Sequence, residues 1–473
     1  MTPQERVERA LAARTGDCVV IADESSDANL RWAGNTLTTN GITRSRRLTV
    51  IAFEHRADGM AVGVVSRTGV RDDQLTEVVR AAEQAASENS IAEDTQPLIE
   101  PSTRQPSGDW GEPVPETEIG VFAGFAAALG EAFAMADAGG RKLYGFAEHE
   151  LRCTFLGTSS GLRLRHDQPG GRVELNAKSA DLERSAWAGA GTRDFRDVDV
   201  VGLDAGLTQR LDWAKRRVSL PAGRYETLLS PTAVADLMIF IYRAAVAKDA
   251  LDGRTVFSRP GGGTRVGDRI AALPVTLRSD PGAPGIECAP FVVAHASSRD
   301  SSVFDNGLPL APTEWIKDGK LNGLVQTRHS GGLTGLPVTP AIDNLIFAAA
   351  DGATGPAPDG PALDGPALDG MIANTSSGLL VNCLWYIREV DPQTLLVTGL
   401  TRDGLYLVEN GEVTGAVNNF RFNESPVGML DRLAEMGRTR PCLPREWSDY
   451  FPRVAAPPVR VEGFNMSSVS KAS

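Results

Sequence analysis

Six consecutive apolar positions, Leu237 to Tyr242, follow a Ser230-Pro231 pair and precede the Asp252-Gly253 pair. Ser before Pro is an N-cap followed by a residue pre-set for the first helical turn, and Gly is a stop, so the spacing predicts a helix over 231–250. At ~1.5 Å per residue it would be roughly 30 Å long. It is apolar on every face and must be covered on all sides. Asp236 and Arg243 bracket the run too closely for a membrane span, which needs about 20 apolar residues.

Before this helix the pattern is mixed. Val7, Ala10 and Leu11 share one side of a charged amphipathic first helix. Strands are predicted at 18–22, 28–35, 42–55 and 59–66, with turns at Asn40-Gly41 and Asp58-Gly59. Asp72 is placed to cap a helix reaching about Glu88, with Leu75, Val78, Val79 and Ala82 at helical spacing. Residues 89–116 read as a surface linker, 117–137 as a helix rich in Ala and Gly, and 144–158, 161–167, 171–183 and 186–191 as strands. A helix from about Val200 to Arg217 leads to a hinge at 219–223.

Beyond the central helix, alternation and turn signals predict many short strands at 275–280, 314–329, 378–391 and 394–423. Two turns stand out, Asp318-Gly319 and Asn410-Gly411. The Pro- and Gly-rich stretch 351–370 reads as a flexible excursion, and 425–437 as a final helix. The predicted class is α+β. An N-terminal α/β-sandwich-like domain at 1–218 precedes a mostly antiparallel, β-rich domain at 219–473 that holds the buried helix 231–250.

With 473 residues the chain is long enough for two cores. A net charge of −12 argues against nucleic-acid and anionic-membrane partners, which call for a basic face. The charged start lacks the apolar stretch of an export signal, and five widely spaced cysteines without a C-x-x-C pair suit reduced thiols, so a cytoplasmic location is expected.

Individual motifs carry little chemistry. Gly157-Thr158-Ser159-Ser160-Gly161 matches G-x-S-x-G, but a strand follows it where a hydrolase elbow needs a helix, so Ser159 reads as a loop residue and a stand-alone serine hydrolase remains an alternative. In Glu148-His149-Glu150, strand alternation sends His149 to the face opposite both carboxylates. His55, His166, His295 and His329 are isolated. Pro260–Thr264 lacks the Gly-Lys-Ser/Thr of a phosphate loop and reads as a turn.

The segments at 228–258, 303–328 and 377–437, together with Asn35–Gly41 and the helix after Asp72, resemble the TldD/PmbA family, on the side of its TldE (PmbA)-type members that lack the zinc-binding motif. The resemblance covers most of 219–473 and implies a heterodimeric zinc metallopeptidase that cleaves unfolded or extended peptides. In the family's catalytic members the helix opening the second half carries H-E-x-x-x-H, two zinc-ligating histidines and a general-base glutamate. A gap-free match from Pro231 puts Ile239, Phe240 and Ala244 at those positions, and none can hold zinc or move a proton. Cys442 lies near the place of a further cysteine ligand and reads as a bystander thiol.

The resemblance therefore implies a chain with no catalytic or metal-binding residues of its own. It would support a zinc-bearing TldD-type partner and line a substrate channel. His295, Asp305, His329 and Cys442 are the channel or pocket candidates. Two further alternatives stand: a pair turned to hydrolytic tailoring of a peptide-like or amide-containing natural product, and a non-enzymatic scaffold.

Overall fold

The computed structural model describes residues 1–102, 107–350 and 367–470, and its sheets are mostly antiparallel, as an α+β chain requires. Helix α1 (Pro3–Ala12) is closed by a capping box between Thr2 and Glu5. β1 (Asp17–Ala33), β2 (Leu37–Arg56) and β3 (Gly59–Thr68) form a meander. Its second turn falls at Asp58-Gly59, as predicted. Asn40-Gly41 is not a turn: Asn40 pairs with Leu30 and Gly41 with Asn29, and the chain reverses at Gly34-Asn35, both at positive φ. Both dipeptides suit a tight turn, and the longer register places the reversal at the earlier one.

Helix α2 (Leu75–Glu88) follows a 3-10 turn at Asp72–Gln74, so Asp72 opens that turn rather than capping the helix. Its carboxylate takes Arg6 at 3.1 Å instead. The helix lies so close on β3 that a Cβ at Gly63 would sit 2.0 Å from the carbonyl oxygen of Ala82. α3 (Ala123–Ala138), β4 (Arg141–Thr158), β5 (Arg163–Ser179), β6 (Ser185–Thr192) and α4 (Val200–Trp213) complete this half. The two strands predicted at 161–167 and 171–183 are one, β5.

The six strands are ordered β3-β2-β1-β4-β5-β6. Alternation along β1 sends Cys18, Val20, Ala28, Leu30 and Trp32 to the face that carries all four helices. Val19 and Ile21 point the other way and, with Ile51 and Phe53 of β2, pack on Phe291, Val303 and Phe304 of the second half. Ile119–Ala138 is apolar and long enough to cross a bilayer, yet Phe125, Leu129, Ala132 and Ala136 bury against the sheet.

The second half runs β7 (Arg217–Val218), β8 (Gly223–Leu229), α5 (Pro231–Ala244), α6 (Ala247–Leu251), β9 (Val275–Ser279), β10 (Thr313–Lys317), β11 (Lys320–Leu321), α7 (Arg328–Thr334), β12 (Leu345–Ala349) and α8 (Leu368–Ala373). Then come β13 (Ser377–Val381), β14 (Trp385–Asp391), β15 (Leu396–Leu400), β16 (Leu405–Glu409), β17 (Glu412–Val417), β18 (Phe420–Glu424), α9 (Pro426–Leu430), β19 (Leu433–Met436), β20 (Arg440–Cys442), β21 (Val454–Ala456) and β22 (Val459–Val469). One sheet is ordered β11-β10-β9-β12-β21-β20; a larger one runs β14-β15-β18-β22-β8-β13-β16-β17-β7, with β19 added onto β22. Among the described strands, β8 with β13, β7 with β17, and β12 with β21 pair in parallel.

Both strong turns form as predicted, with Asp318, Gly319, Asn410 and Gly411 at positive φ. Other expectations do not hold. The strand predicted over 378–391 is cut at Asn382, whose backbone oxygen accepts the Ser230 hydroxyl and whose side chain donates to the Trp187 carbonyl. The helix predicted over 425–437 stops at Leu430, and Leu433–Met436 becomes a strand because β22 offers it a free backbone partner. Residues 351–366 of the predicted excursion lie outside the described residues, and Leu368 to Gly370 open α8.

Candidate functional site

Helix α5 lies between the two sheets of the second half, and a single cluster of buried side chains surrounds it. Ser230 caps it, its oxygen accepting the Ala233 N–H at 3.3 Å, and Pro231 fills the first turn. The helix ends at Ala244, earlier than the predicted 250. Val246 turns to β geometry and bridges Val325, with the Val325 N–H donating to the Ala245 carbonyl at 2.7 Å and the Ala247 N–H to the Val325 carbonyl at 3.0 Å. Pairing with a distant segment ends the helix, and α6 resumes beyond the break.

The positions matched to the zinc motif are part of that core. Ile239 is fully buried, Ala244 is 8% exposed, and Phe240 meets the Trp447 ring edge-on with centroids 5.1 Å apart. Two polar groups lie near. Asp236 is fully buried, accepts the Glu446 N–H at 2.9 Å through Oδ1, and has no partner at Oδ2. Burial pushes its carboxyl well above the ordinary carboxylate range, against the opposing pull of the Glu446 N–H. The Cys442 thiol lies 3.5 Å from the Pro231 carbonyl, and burial pushes it up to about 12. Neither is held as an anion, and among the described residues no cluster of three His, Cys, Asp or Glu side chains is disposed to hold a metal ion. The residues at this place do not fit the family's zinc.

A cavity of about 340 Å³ opens instead at the seam between the halves, with His295, Asp305 and His166 in its wall. His295 reaches from the second half to β2. Its Nε2 accepts Arg47 at 3.0 Å, which leaves the proton on Nδ1 to donate to Thr49 Oγ1 at 3.0 Å. Burial holds its pKa below the usual histidine value, as it does for His166. Asp305 is 1% exposed and takes Arg328 twice, from Nε at 2.7 Å and from the backbone N–H at 3.1 Å. These two candidates share a cavity. His329 and Cys442 are not in its wall: His329 Nε2 is 3.9 Å from Glu93, and Cys442 lies at the start of α5. Asp23, Arg47, Arg152, Asp343 and Arg453 also line the cavity. They come from segments far apart in sequence, and no motif marks them.

The remaining motifs resolve as structure. Ser159 sits in the β4–β5 hairpin and donates to Asp17 Oδ1 at 2.9 Å, while Asp17 Oδ2 meets His55 Nε2 at 2.7 Å. The carboxylate separates serine from histidine, so the imidazole does not reach the hydroxyl and the Ser-His contact of a hydrolase triad is absent here. His149 is buried between Thr117 and the Arg193 carbonyl, while Glu148 pairs with Arg172 and Glu150 with Arg152. Pro260–Thr264 is a turn closed by a bridge between Ser258 and Thr264.

The family model of the PmbA/TldA metallopeptidase C-terminal domain matches residues 222–468, just over half of the chain. The chain belongs to the PmbA/TldD family. Among solved structures, this family member is similar to TldE from Thermococcus kodakarensis, with a TM-score of 0.77 at 15% identity over 98% of this chain and 99% of that one. It is also similar to a protein of Thermotoga maritima described as a candidate modulator of a DNA gyrase, with a TM-score of 0.74 at 14% identity over 98% and 99%. A third, of Bacteroides thetaiotaomicron and described in the same way, gives 0.73 at 15% over 99% and 98%. No curated protein matches the chain. At these identities the solved structures establish the fold across both halves.

Proposed function

We infer that this chain is the zinc-free, TldE-type subunit of a two-subunit metallopeptidase. One observation carries the reading: the helix on which the family's catalytic members place their zinc ligands has Ile239, Phe240 and Ala244 there, sealed in an apolar core. A TldD-type partner brings the histidines, the glutamate and the zinc. The present chain supports that partner and supplies one wall of the channel that admits unfolded or extended peptide, with His295 and Asp305 in the stretch of wall at the seam. The pair works in the cytoplasm.

Co-expression with a TldD-type subunit tests this. The expected result is one gel-filtration species containing both chains, which hydrolyses an extended fluorogenic peptide, while the present chain alone hydrolyses none. Separate elution of the two chains, with full peptidase activity in the TldD-type fraction, contradicts it.

A further inference from the structure

On one side of β2 the strand β1 runs along almost its whole length, pairing Trp32 with Leu37 and Asp17 with Phe53. On the other side β3 accompanies β2 only from Arg47 to Arg56. It leaves at Gly69, which is at positive φ and donates its N–H to the Arg46 carbonyl at 3.0 Å. Among the described residues no strand takes its place, so Leu37 to Arg46 is an open edge of the sheet. Every residue of that stretch is exposed except Gly41, which is half-buried.

Main-chain groups alternate in direction along an antiparallel strand. Arg46 turns its carbonyl to the β3 side, so Asn40, Ile42 and Arg44 each turn an N–H and a C=O the same way, where no hydrogen bond among the described residues reaches them. Sheets blunt such edges with proline, a bulge or a covering element. Between Asn40 and Arg46 there is no proline, and the register shift against β1 falls beyond the stretch, at Arg31 and Trp32. Arg44 is held by Glu116 at 2.7 Å and Arg46 by Glu24 at 3.4 Å, on the face that Leu48 and Val50 turn to the helices.

The side chains indicate what pairs here. Thr38, Thr39, Thr43 and Ser45 are small and polar, Gly41 has none, and Ile42 is the only large apolar residue between Thr38 and Arg46. Permanent interfaces have apolar centres, so this edge suits a ligand that comes and goes rather than a second copy of the chain. At its inner end it meets Arg47, which lies in the wall of the seam cavity and donates to His295. Beside it a cavity of about 280 Å³, lined by Arg44, Arg46, Gly69 and Glu116, has room for a side chain.

We propose that the Asn40–Arg46 edge binds an extended peptide by strand addition, in line with β3 and directed to the seam cavity. Pairing through the main chain supplies the affinity and leaves it nearly independent of sequence. The inference rests on the reading of this chain as a channel wall for extended peptide, and adds where and through which atoms the peptide is held.

The test is fluorescence anisotropy of the full chain, without partner, titrated with a fluorescein-labelled Thr-, Ser- and Val-rich heptapeptide and with the same peptide N-methylated at every residue. Saturable binding is expected for the first and none for the second. Ile42→Pro removes an outward N–H while leaving the β1 pairing intact, and affinity should fall about tenfold or more; Ile42→Val keeps that N–H and should bind as the parent does. Hydrogen exchange of the unmutated chain gives a second readout, with the amides of Asn40, Ile42 and Arg44 slowed at saturation. Absence of saturable binding, equal binding of the methylated peptide, or unchanged exchange at these amides would each overturn the proposal. So would a peptide-free dimer in which they are already protected, which would assign the edge to a second copy. No binding by the lone chain beside an active pair removes this inference alone, whereas binding beside an inactive pair removes the peptidase reading.

Discussion

Asp236 offers the sharpest test of how α5 is built. Its carboxyl is fully enclosed, with one oxygen held by the Glu446 N–H and the other bare, so burial favours the neutral acid. In the unfolded chain the same group ionises near pH ~3.9. Above that pH the folded state carries one proton more than the unfolded state, and folding stability falls by about 1.4 kcal/mol per pH unit until the folded pKa is reached. Asp236→Asn has nearly the same shape, keeps an acceptor for the Glu446 N–H and does not titrate. Below pH ~4 the two proteins should match within about 1 kcal/mol, since an unpartnered amide replaces an unpartnered acid. As pH rises, the variant should gain on the parent by that slope. Urea unfolding at half-unit steps between pH 4.5 and 7.5 measures the gap. Parallel stability curves, or a parent that gains on the variant as pH rises, would refute the burial argument.

Placing the family's glutamate in the helix, Phe240→Glu, should cost about 3–5 kcal/mol for the lost ring and more for the enclosed carboxylate, enough to unfold the second half in a thermal melt. Survival with a Tm within a few degrees of the parent would mean that the site has room for polar chemistry. The Cys442 thiol, pushed up to about 12, should be about one part in ten thousand thiolate at pH 8, so native-state iodoacetamide labelling read by mass spectrometry should be far slower than in urea. Equal rates would contradict the raised thiol pKa of this half-buried cysteine. His295→Ala removes both bonds tying the seam to β2 and should cost about 1–3 kcal/mol in urea unfolding; no change would mean that the bridge contributes nothing. Ser159→Ala should leave any peptidase activity of the paired complex unchanged, and a loss would reopen the hydrolase reading.

Local chemistry was legible where it was strong. Ser230-Pro231, Asp318-Gly319 and Asn410-Gly411 each act within a few residues, and each does in the fold what its residue types demand. Where the outcome depends on a distant partner, sequence pattern failed. The break after Ala244 is made by Val325, the end of β13 by demands on Asn382, and the strand at Leu433–Met436 by the presence of β22. The reversal at Gly34-Asn35 rather than Asn40-Gly41 is a choice of register that two similar dipeptides cannot decide alone. His295 and Asp305 were reachable as isolated polar residues in an apolar setting. Arg47, Arg152 and Arg453 were not, because only the docking of the halves brings them into one cavity.

The central claim is that this polypeptide brings no zinc of its own to the pair. It is tested most directly by purifying the chain alone and together with a TldD-type subunit, dialysing both against zinc, and measuring bound metal by mass spectrometry alongside hydrolysis of an extended peptide. The account predicts no stoichiometric zinc and no turnover for the lone chain, and one zinc with turnover for the pair. One zinc per molecule of the lone chain, with peptide cleavage, would contradict it.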